Sequence, residues 1–327
     1  MKLIVNIPAY NEEKVIGKTI ARIKKNFASE FYKTGAGKVI KEKLIQVVND
    51  GSKDKTVSKS KEAGANIVIS HETNRRLGAV FASSVSSSLK NKADLMVNID
   101  ADGQFDPEDI PKLLKPILEG ESDMVIANRF GKIKATDIPW IKSFLNRFAA
   151  KIIGFFLDHK IEDLTCGFRA HSRETLLRLN LTNNFTYTQE TVIDAIGKNL
   201  KLKWIPVPVT YFADRESRIV KSIWKFINNS FRIILKAIRD ARPLKFFGGP
   251  AFLFIFISLV GYGWFLFNYF QEFKISPYMN VVIFSSLFLL LGLQLLVFAL
   301  IADMIKSNRR ITEELAYQNK KDKYYDF

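Results

Sequence analysis

Two carboxylates separated by one residue, Asp100 and Asp102, stand where an apolar run gives out. The stretch Val97–Pro107 reads VNIDADGQFDP: Val97, Ile99 and Ala101 alternate with Asn98, Asp100 and Asp102, and Gly103, Gln104 and Asp106 follow. In an extended chain alternate residues share a face, so at a strand end both carboxylates can converge on one ligand. Hard carboxylate oxygens suit Mg2+ or Mn2+, which in turn bridge substrate phosphates, and Gln104 could add a neutral oxygen. Taken alone, an Asp-x-Asp pair caps loops and helices just as readily. Asp106 reads as a helix N-cap, with Pro107 at the first helical position and Glu108 and Asp109 in the first turn.

These residues need elements to carry them. Up to about residue 212, strand-like apolar runs alternate with amphipathic stretches. The runs are KLIVNI from Lys2, KLIQVVN from Lys43, ANIVIS from Ala65, DLMVNID from Asp94 and SDMVIAN from Ser122. Among the stretches between them are EEKVIGKTIARIKKNF and DPEDIPKLLKPILEG. Such alternation predicts βαβ units and a mostly parallel sheet. A sheet of that kind binds ligands beyond the carboxyl ends of its strands. Val97–Asp102 lies at such an end, and so does NDGSKDKT at Asn49–Thr56. Residues 28–43 exceed an ordinary connection and read as a helix extension plus a surface excursion.

The chain carries a net charge of +16 and an isoelectric point near 9.7, which implies a phosphate-rich partner. A lone cysteine, Cys166, excludes an intramolecular disulfide and a Cys-rich zinc site, and His71, His159 and His171 are too scattered for a His-based metal cluster. Cys166 is expected to be a small buried residue, and His71 and His171 to be structural. The apolar run before Pro8 is too short for a signal peptide, so the N-terminal domain is expected in the cytoplasm.

From Ser217 to Phe247, Ile223, Phe226, Ile227, Phe231, Ile234, Leu235 and Ile238 recur near helical spacing among Lys221, Lys225, Arg232, Lys236, Arg239 and Arg242. This pattern predicts a basic helix at a membrane surface. Gly248–Phe270 carries no charge over a length able to span a bilayer core, and Tyr278–Ala302 is a second such run. The short link between them predicts a helical hairpin. Basic residues outside it (Lys306, Arg309 and Arg310 after the second run) put both chain ends in the cytoplasm. Much of the basic excess then faces lipid phosphates, and nucleic acid is not expected as a partner.

Further stretches accompany the acidic pair: IPAYNEE (Ile7–Glu13), VVNDGSKDKT (Val47–Thr56) and NRRLGAVFA (Asn74–Ala82). With these motifs in this order, residues 3–215 resemble glycosyltransferase family 2, and within it the polyprenyl-phosphate branch that includes dolichol-phosphate mannose synthase. The resemblance implies an α/β fold: a glycosyltransferase A (Rossmann-like) catalytic domain over 1–215. An amphipathic interface segment over 216–247 would follow, then two transmembrane helices within 248–305 (248–270 and 278–302), and a charged, partly disordered tail over 306–327. Pro8, Ala9, Tyr10, Asn11 and Glu12 match the family's nucleotide-binding segment. Asp50 matches an acidic residue that contacts the base, and it can hydrogen-bond uracil or guanine alike. Asn49 stands where many relatives carry a first Asp, so no role passes to it. Asp54 and Thr56 complete that motif. Asp100 and Ala101 fall where relatives bind ribose and diphosphate. Asp102, with Gln104 and Asp100, falls where they hold Mg2+ or Mn2+.

Downstream, ANRFG (Ala127–Gly131), EDLTCGFRAHSRE (Glu162–Glu174) and the Arg/Ser/Lys cluster after Tyr211 resemble further segments of the branch. They imply an acceptor side made by Arg129, Arg169, Arg215, Arg218 and Lys221, with Arg129, Asp163 and Asp102 as catalytic residues. Arg suits phosphate because its planar fork donates two parallel hydrogen bonds. The implied activity is inverting transfer of a hexosyl or N-acetylhexosaminyl group from a UDP- or GDP-sugar to a polyprenyl phosphate at the cytoplasmic membrane face. Alternatives are another lipid or glycan acceptor, or a non-catalytic nucleotide-binding scaffold. Gln189 begins QETVID rather than the Q-x-x-R-W of processive synthases. Self-association is left open.

Overall fold

The computed structural model describes residues 1–131, 140–180, 187–210, 231–232, 235, 238–240 and 242–325. They divide into two units: Met1–Ile234 with Glu313–Phe327, and Leu235–Thr312. The interface segment expected over 216–247 lies largely outside the described residues, as do Arg215, Arg218 and Lys221.

The first unit is built on a sheet of order β3-β2-β1-β4-β6-β5-β7. Its strands are β1 (Lys2–Ala9), β2 (Glu42–Asn49), β3 (Ile67–Ser70), β4 (Leu95–Asn98), β5 (Met124–Asn128), β6 (Arg169–Ser172) and β7 (Leu202–Pro206). All neighbouring pairs are parallel except those of β6, which runs antiparallel between β4 and β5. The core strands are apolar on both faces, as burial under helices requires: Leu3, Ile4, Val5 and Ile7 of β1 and Met96 and Val97 of β4 are inaccessible to solvent. Helix α1 (Ile16–Phe27) buries Ile16, Ile20 and Ile23 and turns Lys18, Arg22, Lys24 and Lys25 outward. The excursion after it winds through two short 3-10 turns, Glu30–Tyr32 and Gly35–Val39.

The remaining helices of this unit are α2 (Thr56–Glu62), α3 (Leu77–Lys90), α4 (Ile110–Leu118), α5 (Trp140–Leu157), α6 (Arg173–Arg178) and α7 (Thr188–Gly197). Chain order reverses between β1 and β4, the position at which an open α/β sheet opens a crevice. Because β1, β2 and β4 are parallel and in register, residues 10–13, 50–56 and 99–104 emerge at one edge.

The second unit is a pair of apolar helices, α8 (Pro243–Glu272) and α9 (Met279–Tyr324), the latter extending into the first unit. Both are long and apolar enough to cross a membrane, and only 11% of each most apolar window is buried. A core helix of a water-soluble domain would show the reverse. The pair packs through small residues, as membrane helices do. A Cβ on Gly292 would lie 2.7 Å from Ile255 Cγ1 and 3.0 Å from Ala251 O, and Tyr262 Oη and Ser286 Oγ share a hydrogen bond of 2.6 Å.

The tail corrects a sequence expectation. Its charges suggest partial disorder, yet it is helical as far as Tyr324 and closely partnered. Glu313 pairs with Lys198 (3.4 Å), Glu314 with Arg178 (3.5 Å), and Tyr317 Oη donates to Glu174 (3.1 Å). Lys320 Nζ donates to Leu177 O, Leu179 O and Asn180 Oδ1 at 2.9–3.2 Å, and Tyr325 Oη donates to Ala93 O at 2.6 Å. Tyr317, Tyr324 and Tyr325 cover a cluster that includes Phe81, Leu176, Leu177 and Tyr187.

His171 on β6 is fully buried beside Phe81, and neither ring nitrogen has a hydrogen-bond partner among the described residues. Burial, and secondarily the Arg169 charge, push its pKa down to about 3. The unfolded chain takes up this proton near pH 6.5 and the folded chain does not, so the contribution to stability is full above that pH and declines as the pH falls. Between pH 7 and pH 5 the loss from this residue is about 2 kcal/mol. Denaturant melts of wild type and His171→Leu at the two pH values check it: the acid sensitivity of the variant is smaller by that amount.

Candidate active site

The loops after β1 and β2 are stitched to each other. Asn11 takes a left-handed conformation (φ 53°), its N–H donates to Ser52 Oγ (2.8 Å), and its Oδ1 accepts from Lys53 N (2.9 Å). Glu12 N donates to Thr56 Oγ1 (2.8 Å), Glu13 N to Asp54 Oδ2 (3.1 Å), and Lys55 N returns to Glu13 Oε2 (3.0 Å). Asp54 also bonds the Thr56 hydroxyl and amide. Five cross-links between two loops fix Pro8–Glu12 against Asp50–Thr56, so the sequence motifs are brought together.

Asp50 holds a third loop. Its Oδ1 accepts from His71 Nδ1 (3.0 Å) and Arg75 N (2.8 Å), and its Oδ2 from Arg76 N (3.0 Å). His71 Nε2 in turn meets Ser83 Oγ at 2.9 Å. Arg76 sits at φ 72°, ψ 164°, a backbone region nearly reserved for glycine. The Asp50 carboxylate is what keeps that strained residue in place. His71 is structural, as the sequence suggests.

On the strand end, Ala101 is buried and its carbonyl accepts from Thr19 Oγ1 (3.1 Å), while Asp102 Oδ1 accepts from Gln104 N (3.0 Å). Asp106 caps the turn into α4 by accepting from Glu108 N (2.9 Å). Burial and then the neighbouring Asp102 charge push the Asp100 carboxyl up to about 7; Arg129 opposes them, Glu12 adds to them and Arg169 opposes. Burial and the Asp102 charge both disfavour the ionised form of Asp100, and a cation would offset both. Among the described residues no three His, Cys, Asp or Glu side chains form a metal cage. Asp102, Asp100 and Gln104 instead offer the oxygen set with which Mg2+ or Mn2+ is held through one or two carboxylates and substrate phosphates. The residues present fit such an ion.

Arg129 and Asp163 form a buried bidentate pair: Nε to Oδ2 at 2.8 Å and a terminal nitrogen to Oδ1 at 2.9 Å, with a further bond to Thr165 Oγ1 at 2.7 Å. Asp163 Oδ1 also accepts from Thr165 N and Cys166 N, and lies 3.5 Å from Asn146 Nδ2. With no solvent exposure and these oxygens taken, Asp163 is placed to orient Arg129.

Arg169, expected beside the acceptor phosphate, is fully buried. It spends its fork on Cys166 O (2.7 Å), Thr191 Oγ1 (2.6 Å) and Leu164 O (3.1 Å), so it braces the chain behind the site. Cys166 is buried, and burial first raises its thiol pKa to about 12. Asn128, next to Arg129, donates to Glu162 (2.8 Å). Beyond them a cavity of about 320 Å³ is lined by Arg147, Lys151, His159, Lys160 and Glu162 among others, and it adjoins a second of about 400 Å³ that shares Arg147, Lys160 and Glu162. The sequence reading missed this basic lining, although Arg147 and Lys151 stand four apart on α5 and so share a face.

A doubly wound sheet with acidic residues at its switch point, stitched loops and a buried Arg beside them is a fold of the glycosyltransferase A type. The family model for glycosyl transferase family 2 matches residues 4–179, and the chain belongs to that family. It is 32% identical over 242 residues to an uncharacterized protein of Methanocaldococcus jannaschii, covering 72% of this chain and 91% of that one. It is 28% identical over 225 residues to the UDP-N-acetylglucosamine–dolichyl-phosphate N-acetylglucosaminyltransferase of Methanococcus voltae, covering 63% and 84%. Among solved structures it resembles glucosyl-3-phosphoglycerate synthase from Mycobacterium tuberculosis in complex with Mn2+, UDP-glucose and phosphoglyceric acid. That likeness has a TM-score of 0.55 at 20% identity over 72% of this chain and 79% of the other, and it concerns the fold.

Removing one partner of a buried ion pair strands the other charge, at about 3–5 kcal/mol. Asp163→Ala therefore unfolds at a markedly lower denaturant concentration than wild type, while Asp163→Asn, which keeps shape and one acceptor, loses less. Equilibrium unfolding of both variants in detergent measures the difference.

Proposed function

We propose that this chain transfers a sugar from a nucleoside-diphosphate sugar to a polyprenyl phosphate at the cytoplasmic face of a membrane, with inversion at the anomeric carbon. The observation that carries the reading is the Asp100–Asp102 pair at the switch point, with stitched donor loops on one side and the Asp163-oriented Arg129 on the other. The Methanococcus voltae relative, named for transfer to dolichyl phosphate, supports the acceptor class, and the two apolar helices suit a substrate that stays in the bilayer.

Pro8–Glu12 and Asp50, the latter through the loop it holds, bind and orient the nucleotide. Mg2+ or Mn2+, held by Asp102 and Gln104 with Asp100 beside them, would supply the charge that stabilises the departing diphosphate. A phosphate monoester has a second pKa near 6 and is already ionised at neutral pH. The acceptor oxygen therefore attacks without a strong base, which fits the commitment of Asp163 to Arg129. Arg129, the basic cavity beyond it, and Arg215, Arg218 and Lys221 offset the acceptor's charge. A single displacement turns an α-linked donor sugar into a β-linked lipid phosphate. Basic flanks on the apolar hairpin favour a cytoplasmic domain.

The full chain in detergent, given a panel of UDP- and GDP-sugars, a short polyprenyl phosphate and Mn2+, yields a glycolipid detectable by mass spectrometry. Absence of product with every donor sinks the reading. Asp102→Ala lowers turnover by about 100-fold or more, equivalent to about 3 kcal/mol of lost stabilisation; wild-type turnover in that variant sinks the metal assignment.

A further inference from the structure

Three amide side chains lie side by side in the middle of the sheet, where its strands are otherwise apolar. The register sets Gln46 of β2 against Asn6 of β1, and Asn6 against Asn98 of β4. All three are at most 1% exposed. Gln46 Nε2 donates to Asn6 Oδ1 (2.8 Å) and Ser84 O (3.2 Å), and Asn6 Nδ2 donates to Asn98 Oδ1 (2.6 Å). Asn98 Nδ2 donates to Tyr187 Oη (2.8 Å) and Gly167 O (3.0 Å), and Tyr187 Oη donates to Gly167 O (3.3 Å). Along the row each amide donates to the next in the same direction, from β2 toward Gly167.

A row of buried amides is an expensive way to fill a core, since each must find partners. Here one acceptor, Gln46 Oε1, has none among the described residues. Apolar residues would serve packing better, so the row is best explained by where it ends. Gly167 lies against the Asp100 carboxylate: a Cβ there would stand 3.1 Å from Asp100 Oδ2, 3.4 Å from Oδ1 and 3.2 Å from Tyr187 Oη. Gly167 also closes the segment that carries Asp163 and Thr165, the partners of Arg129. The Tyr187 ring is stacked on Phe81, centroids 4.0 Å apart and 4° from parallel, which leaves its hydroxyl aimed at this seam.

We propose that Asn98 and Tyr187 are positioning residues that fix the spacing between Asp100 on the donor side and the Asp163–Gly167 segment that orients Arg129 on the acceptor side. The role in turnover rests on the proposed glycosyl transfer; the spacing itself does not. In that transfer, two negatively charged substrates must meet between these groups, so a small change in spacing acts on the reacting geometry more than on the affinity for either substrate.

The test uses Tyr187→Phe, which keeps the stacked ring and removes the hydroxyl, and Gly167→Ala, which adds a methyl group against Asp100. In the full chain, kcat falls roughly 10- to 100-fold in both variants. The Kd for UDP or GDP with Mn2+ stays within about threefold of wild type, and Tm within about 4 °C. Hydrogen exchange read by mass spectrometry shows faster exchange in the peptide spanning 163–168 of Tyr187→Phe, with the rest of the catalytic domain unchanged. A kcat within twofold of wild type overturns the inference, and so does a parallel loss of nucleotide affinity and Tm, which marks a purely structural role. A wild type that makes no glycolipid refutes the proposed function instead. The exchange pattern then still decides the spacing role, and unchanged exchange at 163–168 overturns it.

Discussion

Two carboxylates one residue apart at a half-buried strand end repel each other, and much of the first unit is arranged around that repulsion. The end of β4 is where parallel topology opens a crevice, so ligand groups gather there. Asp100 and Asp102 are kept together by opposing charge and by rigidity. Arg129 and Arg169 pull the Asp100 pKa down while burial, Asp102 and Glu12 push it up. Both arginines are buried, and each needs its fork satisfied in turn: Arg129 by Asp163 and Thr165, Arg169 by two carbonyls and Thr191. The segment from Glu162 to Arg169 is therefore shaped by hydrogen bonds as much as by apolar packing.

Five of the seven strands were legible because they are largely apolar on both faces, and four of the five end in Asn or Ser. The other two were not. β6 reads RAHS, with an arginine and a histidine on one face and no apolar run to mark it as a strand. Both are inaccessible because β6 is clasped between β4 and β5, and that antiparallel insertion brings partners from distant segments. β7, LKWIP, is short and half-exposed at the sheet edge. The tail was misread for a related reason: its charges have partners on α6 and at Lys198 just after α7, 115 or more positions away in sequence, so local composition reads as solvated when it is paired.

At the site, the motif residues of the loops after β1 and β2 were legible because their backbone geometry demands particular types: Asn11 tolerates a left-handed φ, and Asp54 with Thr56 closes a turn. What each carboxylate faces was not legible. Asp50 reads as a contact to the base and is occupied with His71, Arg75 and Arg76; Asp163 reads as a catalytic residue and is occupied with Arg129. Asn98 and Tyr187 drew no attention because an Asn inside an apolar run and a Tyr before a helix are both ordinary. Only the register across β1, β2 and β4 makes them a row.

The contact of Tyr325 with Ala93 spans 232 positions. During synthesis, which proceeds from the N-terminus at roughly 5–20 residues per second, the sheet and its helices leave the ribosome well before residues 313–325 do. Until then the surface around Leu176 and Leu177 lacks the tyrosines that cover it. The apolar hairpin is made in between. The catalytic domain thus reaches its final form only after its two apolar helices have been synthesised, and an unfinished or hairpin-less chain carries an uncovered apolar face on α6.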